Sequence, residues 1–69
     1  MKLSARNQLK GTVTKVDLGP ISAEVVLDLG GGQTIVAVIT RSSAEAMGLA
    51  VGQTAYAVVK ASSVMMAVD

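Results

Sequence analysis

The sequence predicts an all-β fold, a single small domain over residues 1–69 with five strands and one short helix between the third and fourth. Apolar and polar residues alternate in several short runs, which is the periodicity of strands rather than of helices. Clusters of glycine, proline and aspartate separate these runs, as turn residues do. Hydrophobic residues make up 51% of the chain, more than one small core needs, so we expect the excess to lie between subunits.

The first two strands are predicted on either side of a turn. The first runs from Leu9 to Val16, and Asp17-Leu18-Gly19-Pro20 supplies the turn residues that end it. The second runs from Ser22 to Leu29, where every second residue from Ala23 onwards is apolar and is expected to face the core. Val26 interrupts the polar face of this strand and is a candidate contact with a partner.

A triple glycine, Gly30-Gly31-Gly32, comes next. Bare backbone N–H groups in such a segment can bind phosphate, but the Lys-Ser/Thr pair and the helix of a P-loop are missing. A hairpin turn with positive φ angles is therefore predicted. The third strand, from Thr34 to Thr40, is apolar on both faces. We expect one face to be covered by the core and the other by another subunit or element.

Ser42 and Glu45 have the spacing of a capping box, which predicts a helix of about two turns with Ser42 as its N-cap and Gly48 as its end. The fourth strand is predicted from Thr54 to Lys60, and a short fifth strand from Val64 to Val68. This order of elements matches an OB-like barrel.

Composition excludes several kinds of site. The chain has no cysteine and no histidine, which excludes disulfides, Cys/His metal centres and Ser-His-Asp catalysis. The acidic residues do not form a pair suited to a hard cation or to acid–base chemistry. We therefore predict no metal site and no enzyme activity, and we interpret Met65 and Met66 as core and interface filling.

The charge balance argues against a nucleic-acid partner. Six basic and five acidic residues give a net charge of +1, whereas a duplex binder neutralises several phosphates at once. Tyr56 is the only aromatic side chain, too few for the base stacking of single-strand binders. The N-terminus lacks the apolar segment of a signal peptide, and no apolar run reaches the roughly 20 residues of a membrane span, so we expect a cytoplasmic protein.

Hydrogen-bond donors cluster near both ends of the chain. Ser4, Arg6 and Lys10 share one face if the chain is extended there, and Lys60 precedes the small polar run Ala61-Ser62-Ser63. Arg6 alone is explained as a solvated surface residue, and Lys60 as a charge at the end of a strand. Together they suit an oxyanion, because guanidinium, ammonium, hydroxyl and bare backbone N–H groups all donate hydrogen bonds.

A third group of donors, Thr40, Ser42 and Ser43, lies at the start of the predicted helix. If Ser42 is the N-cap, a role in the helix accounts for this residue and no ligand is needed. The alternative is that the free N–H groups of the helix start face an anion and that Ser43 adds a hydroxyl. The residues alone leave both interpretations open.

Three motifs resemble those of one family. They are Ser4-Ala5-Arg6-Asn7-Gln8-Leu9-Lys10-Gly11, Ala37-Val38-Ile39-Thr40-Arg41-Ser42-Ser43-Ala44 and Val59-Lys60-Ala61-Ser62. With them, essentially the whole chain resembles the molbindins, small molybdate-binding Mop proteins related to the TOBE domains of molybdate regulators and transporter ATPases.

The resemblance implies an OB-like barrel that exchanges strands between subunits, and a hexamer built as a trimer of dimers. It also implies binding of molybdate or tungstate at subunit interfaces, for storage and homeostasis in the cytoplasm, with no organic cofactor and no membrane or nucleic-acid partner. Carried over by position, the oxyanion-binding residues are Ser4, Arg6, Thr40, Ser43, Lys60, Ala61 (through its backbone) and Ser62. Sites on the three-fold axis also occur in the family, but the motifs assign no residues to them.

The chemistry of molybdate fits these residues. Molybdate is a fully deprotonated dianion at neutral pH and only accepts hydrogen bonds, so a site of donors suits it and disfavours a protonated phosphate, whose O–H would be unpaired. Two cations balance its charge, and we expect Arg6 and Lys60 to meet from different subunits. Two other functions remain open: an oxyanion-sensing regulatory or accessory module that acts on a protein partner, and an OB-type nucleic-acid binder.

Overall fold

A computed structural model describes all 69 residues of the chain. Four strands form one antiparallel sheet in the order β3-β2-β1-β4. The elements are β1 (Asn7–Leu18), β2 (Ser22–Gly30), β3 (Gln33–Thr40), α1 (Arg41–Ala46), β4 (Thr54–Val59) and a 3₁₀ turn (Ala61–Ser63). The predicted all-β class and the short helix between the third and fourth strands are confirmed.

The predicted fifth strand is wrong for the single chain, because residues 64–68 follow the 3₁₀ turn without joining the sheet. Met65 and Met66 are 91% and 88% exposed, so they do not fill the core of this chain. An apolar pattern indicates that a segment is buried against another surface. It does not indicate whether that surface belongs to the same chain.

The central strand β1 is staggered against its neighbours. Its first residues, from Asn7 to Thr12, pair with β4, whereas the pairing with β2 begins at Thr12 and continues to Leu18. A β-bulge between Val13 and Lys15 shifts the register, so the inward-facing positions continue at Val16 rather than at Lys15. Each half of β1 therefore has a partner strand on one side only.

Glycine is required at two places in this sheet. At Gly11 a Cβ atom would lie 2.6 Å from the carbonyl oxygen of Asp28, because β1 and β2 approach each other closely there. The triple glycine has φ angles of 88°, 62° and 81°, which confirms the predicted hairpin turn between β2 and β3. Both features fix how β2 is placed beside its neighbours.

The core is small. Val13, Val25 and Leu27 form its centre, and only five of the 69 residues are buried. The predicted inward face of β2 is confirmed, whereas Val36 and Val38 on the outer face of β3 remain 55% and 70% exposed. The chain exposes 5287 Å² of surface, compared with about 4,000 Å² expected for a folded monomer of its mass. The apolar content noted in the sequence is thus largely unburied within one chain.

Helix α1 begins earlier than the capping-box pattern predicts. Thr40, the last residue of β3, is the N-cap: its backbone is extended, and its Oγ1 accepts a hydrogen bond from the Ser43 N–H at 3.1 Å. Ser42 is therefore inside the first turn, and Glu45 contacts Arg41 instead of capping Ser42. The predicted end is confirmed, since Gly48 has a φ angle of 61° and donates its N–H to the carbonyl of Glu45. Neither helical segment of the chain is long and apolar enough to cross a membrane.

Candidate functional site

The register of β1 and β4 brings the two predicted cations to one end of the sheet. Asn7 pairs with Val59, so the residues immediately beyond this pair, Arg6 and Lys60, leave the sheet at the same place. Arg6 and Lys60 of one chain are therefore neighbours along the backbone register. The expectation that Arg6 and Lys60 meet from different subunits concerns an assembly of chains, and it stays a prediction.

We call this region the cation end and define it as Ser4, Arg6, Lys60, Ala61 and Ser62. Ser4 and Arg6 lie in bends before β1 begins, so they do not share a strand face with Lys10, as the extended-chain interpretation predicted. Ala61 and Ser62 open the 3₁₀ turn, which is closed by hydrogen bonds from the N–H groups of Ser63 and Val64. The first N–H groups of such a turn have no partner inside it and remain available to an acceptor.

The positive charges of the cation end are not neutralised within the chain. The two salt bridges join Lys15 to Glu24 and Arg41 to Glu45, so they include neither Arg6 nor Lys60. Arg6 and Lys60 are both exposed. Two cations without a carboxylate partner, beside free N–H groups, form a surface suited to an anion with two negative charges.

The remaining two predicted residues, Thr40 and Ser43, lie where β3 meets α1; with Ser42 they form what we call the hydroxyl end. Thr40 Oγ1 donates to Ser43 Oγ at 2.7 Å, and Thr40 Oγ1 and Ser42 Oγ are 3.3 Å apart. Because the single proton of Thr40 is used within the cluster, the Ser43 hydroxyl keeps its own proton for an outside acceptor. Of the two predicted residues, Thr40 therefore donates within the cluster, whereas Ser43 keeps a proton to donate.

The cation end and the hydroxyl end are at opposite ends of the sheet. β1 leads away from the cation end at Asn7 to Leu18, which pairs with Ala23, and the adjacent Ser22 pairs with Thr40. A strand of this length spans about 35 Å, and the longest dimension of the chain is 37 Å. One chain therefore does not bring all seven predicted residues together. A site that uses both ends needs two chains.

The two main clefts of the chain contain none of the seven predicted residues. One, of about 310 Å³, lies between β1 and β2 and is lined by Lys10, Gly11, Thr12, Asp28, Leu29, Gly30 and Thr54. The other, of about 460 Å³, is lined by Pro20, Ile21, Arg41, Ser42 and Glu45. The predicted site residues lie instead on open surface, where a second chain would be needed to exclude water.

Comparison with known protein families shows which family this chain belongs to. A family model described as the TOBE domain matches residues 3–66. The chain belongs to the TOBE domain family. The resemblance to the molbindins that the three motifs predicted is confirmed by the relatives and solved structures of this family.

Two relatives match this chain over different shares of their own length. A probable molybdenum-pterin-binding protein of Haemophilus influenzae is 44% identical, over all 69 residues of this chain and 100% of its own length. The molybdenum transport protein ModE of Herbaspirillum seropedicae is 54% identical over 97% of this chain. These residues are 25% of ModE, so this chain spans about a quarter of that relative.

Solved structures of related TOBE proteins have the same fold. MopII of Clostridium pasteurianum superimposes with a TM-score of 0.91 at 43% identity, covering 97% of this chain and 100% of MopII. ModG, described as a cytoplasmic molybdate-binding protein and solved with molybdate bound, gives a TM-score of 0.83 at 44% identity. That match covers 88% of this chain and 43% of ModG.

Sequence reasoning missed the role of Arg41. Its guanidinium contacts both Glu45 in α1 and the carbonyl of Gly19 in the turn between β1 and β2. The spacing of four residues between Arg41 and Glu45 is typical of an ion pair on a helix. The capping-box pattern assigned Glu45 to Ser42 instead, so this ion pair was not predicted.

Proposed function

We propose that this chain, as a single TOBE domain, binds molybdate, and tungstate as its close analogue, at interfaces between its own subunits. The bound oxyanion is held for intracellular storage and homeostasis in the cytoplasm, without catalysis and without an organic cofactor. The observation that carries the proposal is the cation end, where Arg6 and Lys60 emerge together without a carboxylate partner. The names of related proteins, which include a molybdate-bound structure, support the choice of anion.

The donors of the cation end match the chemistry of a tetrahedral dianion. The Arg6 guanidinium offers a planar fork to two oxygens, whereas the Lys60 ammonium acts as a compact charge. The Ser4 hydroxyl and the N–H groups of Ala61 and Ser62 add neutral donors. Since no carboxylate acceptor is included, an anion that carries a proton would find only hydroxyl oxygens to accept its O–H and would bind less tightly.

The hydroxyl end of a second chain completes the proposed site. Ser43 has a hydroxyl proton to donate, but it lies at the other end of the sheet from the cation end of its own chain. The excess exposed surface of the chain and the unpaired apolar segment at residues 64–68 favour an assembly that buries them. We therefore propose a homo-oligomer, a hexamer formed as a trimer of dimers, in which residues 64–68 exchange between subunits as strands.

Native mass spectrometry tests assembly, ligand and selectivity together. The purified protein is measured alone and with molybdate, tungstate, sulfate or phosphate, and we expect a hexamer that gains several molybdates or tungstates and little phosphate. Arg6→Gln and Lys60→Gln are expected to keep the assembly and lose the anion. Lys15→Gln is the matched control, because Lys15 is an exposed cation of β1 outside the site. Parent protein that gains no molybdate, or variants at Arg6 and Lys60 that bind like the parent, would contradict the proposal.

The second candidate function is an oxyanion-sensing regulatory or accessory module. It is favoured by one observation, that the matched part of ModE is only a quarter of a longer protein. A sensing module transmits occupancy to a partner, so molybdate would change its affinity for that partner. A storage protein would instead release molybdate to a chelator or an apo-enzyme without any partner that responds to occupancy.

A further inference from the structure

Arg41 joins three parts of the chain at the hydroxyl end. Its backbone N–H donates to the carbonyl of Ile21 at 2.8 Å. In its guanidinium, Nε donates to Glu45 Oε1 at 2.7 Å and Nη1 donates to the carbonyl of Gly19 at 3.3 Å. The turn between β1 and β2 is thereby tied to the first residue of α1, and the Glu45 contact holds the Arg41 side chain against the helix. We call this set of contacts the Arg41 clamp.

Helix α1 depends on such contacts for its position. It has six residues, and an isolated helix of this length is unstable in water. Ala44 is its only buried residue, so one methyl group holds the helix to the core. The Arg41 clamp is the second attachment, and it acts on the side of the helix that faces the turn.

We propose that Arg41 is a positioning residue of the oxyanion site and acts on the anion through Ser43. This inference rests on the proposed function, because it assigns a role within that site. Nε and Nη1 of the guanidinium donate to Glu45 and Gly19, and the Glu45 carboxylate balances its charge, so in this proposal Arg41 orients the helix start rather than contacting the ligand. With the helix start fixed, the Thr40–Ser43 hydrogen bond holds Ser43 Oγ in place and leaves the Ser43 proton free to donate.

The Arg41→Lys variant tests whether Arg41 acts through its position or through its charge alone. Lysine keeps the positive charge, but a single ammonium cannot hold Glu45 and the Gly19 carbonyl in the fixed fork of a guanidinium. Because the lost contacts are partly exposed, we expect the dissociation constant for molybdate to rise about two- to fivefold. Calorimetry gives this constant, and native mass spectrometry confirms that the variant is assembled like the parent.

A double-mutant cycle tests whether the effect passes through Ser43. In a Ser43→Ala background, Arg41→Lys is expected to cause no further loss of affinity, since the group that it positions is gone. Lys15→Gln is again the control, because it breaks the other exposed ion pair of the chain without touching α1, and it should leave affinity unchanged. An equal loss in both backgrounds would overturn the positioning role.

Glu45→Gln is a second test variant. The positioning role and direct contact between Arg41 and the anion predict opposite changes in its molybdate affinity. If Arg41 positions the helix, loss of the Glu45 charge weakens the clamp and lowers molybdate affinity. If Arg41 instead contacts the anion, release from Glu45 frees its charge and raises the affinity, which would overturn the inference.

The failure of the inference and that of the proposed function look different. If the parent protein binds molybdate and the Arg41→Lys and Glu45→Gln variants bind it as tightly, the positioning role is wrong. The proposed function would not be affected by that result. Parent protein that binds no molybdate would overturn both.

Discussion

The two ends of the sheet carry donors of different kinds, held in different ways. At the cation end, Arg6 and Lys60 are far apart in sequence and are brought together by the pairing of β1 with β4. At the hydroxyl end, Thr40 and Ser43 are near neighbours in sequence, and their hydroxyls are hydrogen-bonded to each other. The first arrangement supplies charge and leaves it unneutralised. The second supplies a hydroxyl whose oxygen is held in place by a hydrogen bond.

The largest effect is expected from removing charge at the cation end. Lys60→Ala leaves a dianion facing one cation, and loss of a desolvated charge-assisted contact costs about 3 kcal/mol or more. We expect molybdate affinity measured by calorimetry to fall at least about 100-fold. Lys15→Ala, which removes an equal charge elsewhere, should lose little. If the two variants behaved alike, the cation end would have no special role.

A mixing experiment tests whether the two ends meet across subunits. Lys60→Ala chains keep an intact hydroxyl end, and Ser43→Ala chains keep an intact cation end. When the two are refolded together, about one site in four should combine two intact ends by random assortment in the oligomer. Parent-like molybdate sites should therefore appear in the mixture and in neither variant alone. Their absence would place each site within a single chain.

Ser43→Ala by itself should have a smaller effect than Lys60→Ala. It removes one neutral hydrogen bond, which contributes about 1 kcal/mol. We therefore expect molybdate affinity to fall roughly five- to tenfold. Ser42→Ala is the matched control, since Ser42 contacts Thr40 but is not assigned to the anion. A loss at Ser42 as large as that at Ser43 would show that the hydroxyl donor has been misassigned.

The smallest binding effect is expected at Thr40. Thr40→Val keeps the shape of the side chain but removes the N-cap acceptor, which lowers stability by about 1 kcal/mol. Thermal unfolding should show this loss, while molybdate affinity falls less than in Ser43→Ala, because Ser43 remains. An affinity loss greater than that of Ser43→Ala would make Thr40 a direct ligand.

The local features of the fold were predictable from sequence because their causes are local. Alternation located β2, three consecutive glycines located the hairpin, and Gly48 located the end of the helix. The N-cap was misplaced because both Thr40 and Ser42 can cap. The choice depends on where β3 stops pairing with β2, which is not encoded in a four-residue pattern.

The candidate site was predictable in its residue types but only partly in its geometry. Motif resemblance assigned the residues, and the near-neutral net charge predicted no broad basic surface. The separation of Thr40 from Arg6 follows from strand order, which no local pattern specifies. Residues 64–68 form no strand within the single chain for the same reason, since burial of that segment depends on something outside that chain.

The staggered pairing of β1 has a consequence for how the chain is made and kept in solution. Asn7 to Leu9 lack a neighbouring strand on the side of β2, and the residues beyond Thr14 lack one on the side of β4. Unpaired backbone edges of this kind pair readily with any other extended chain, including the wrong one. In the proposed oligomer a second copy would cover these edges, so we expect aggregation of single chains to compete with their assembly.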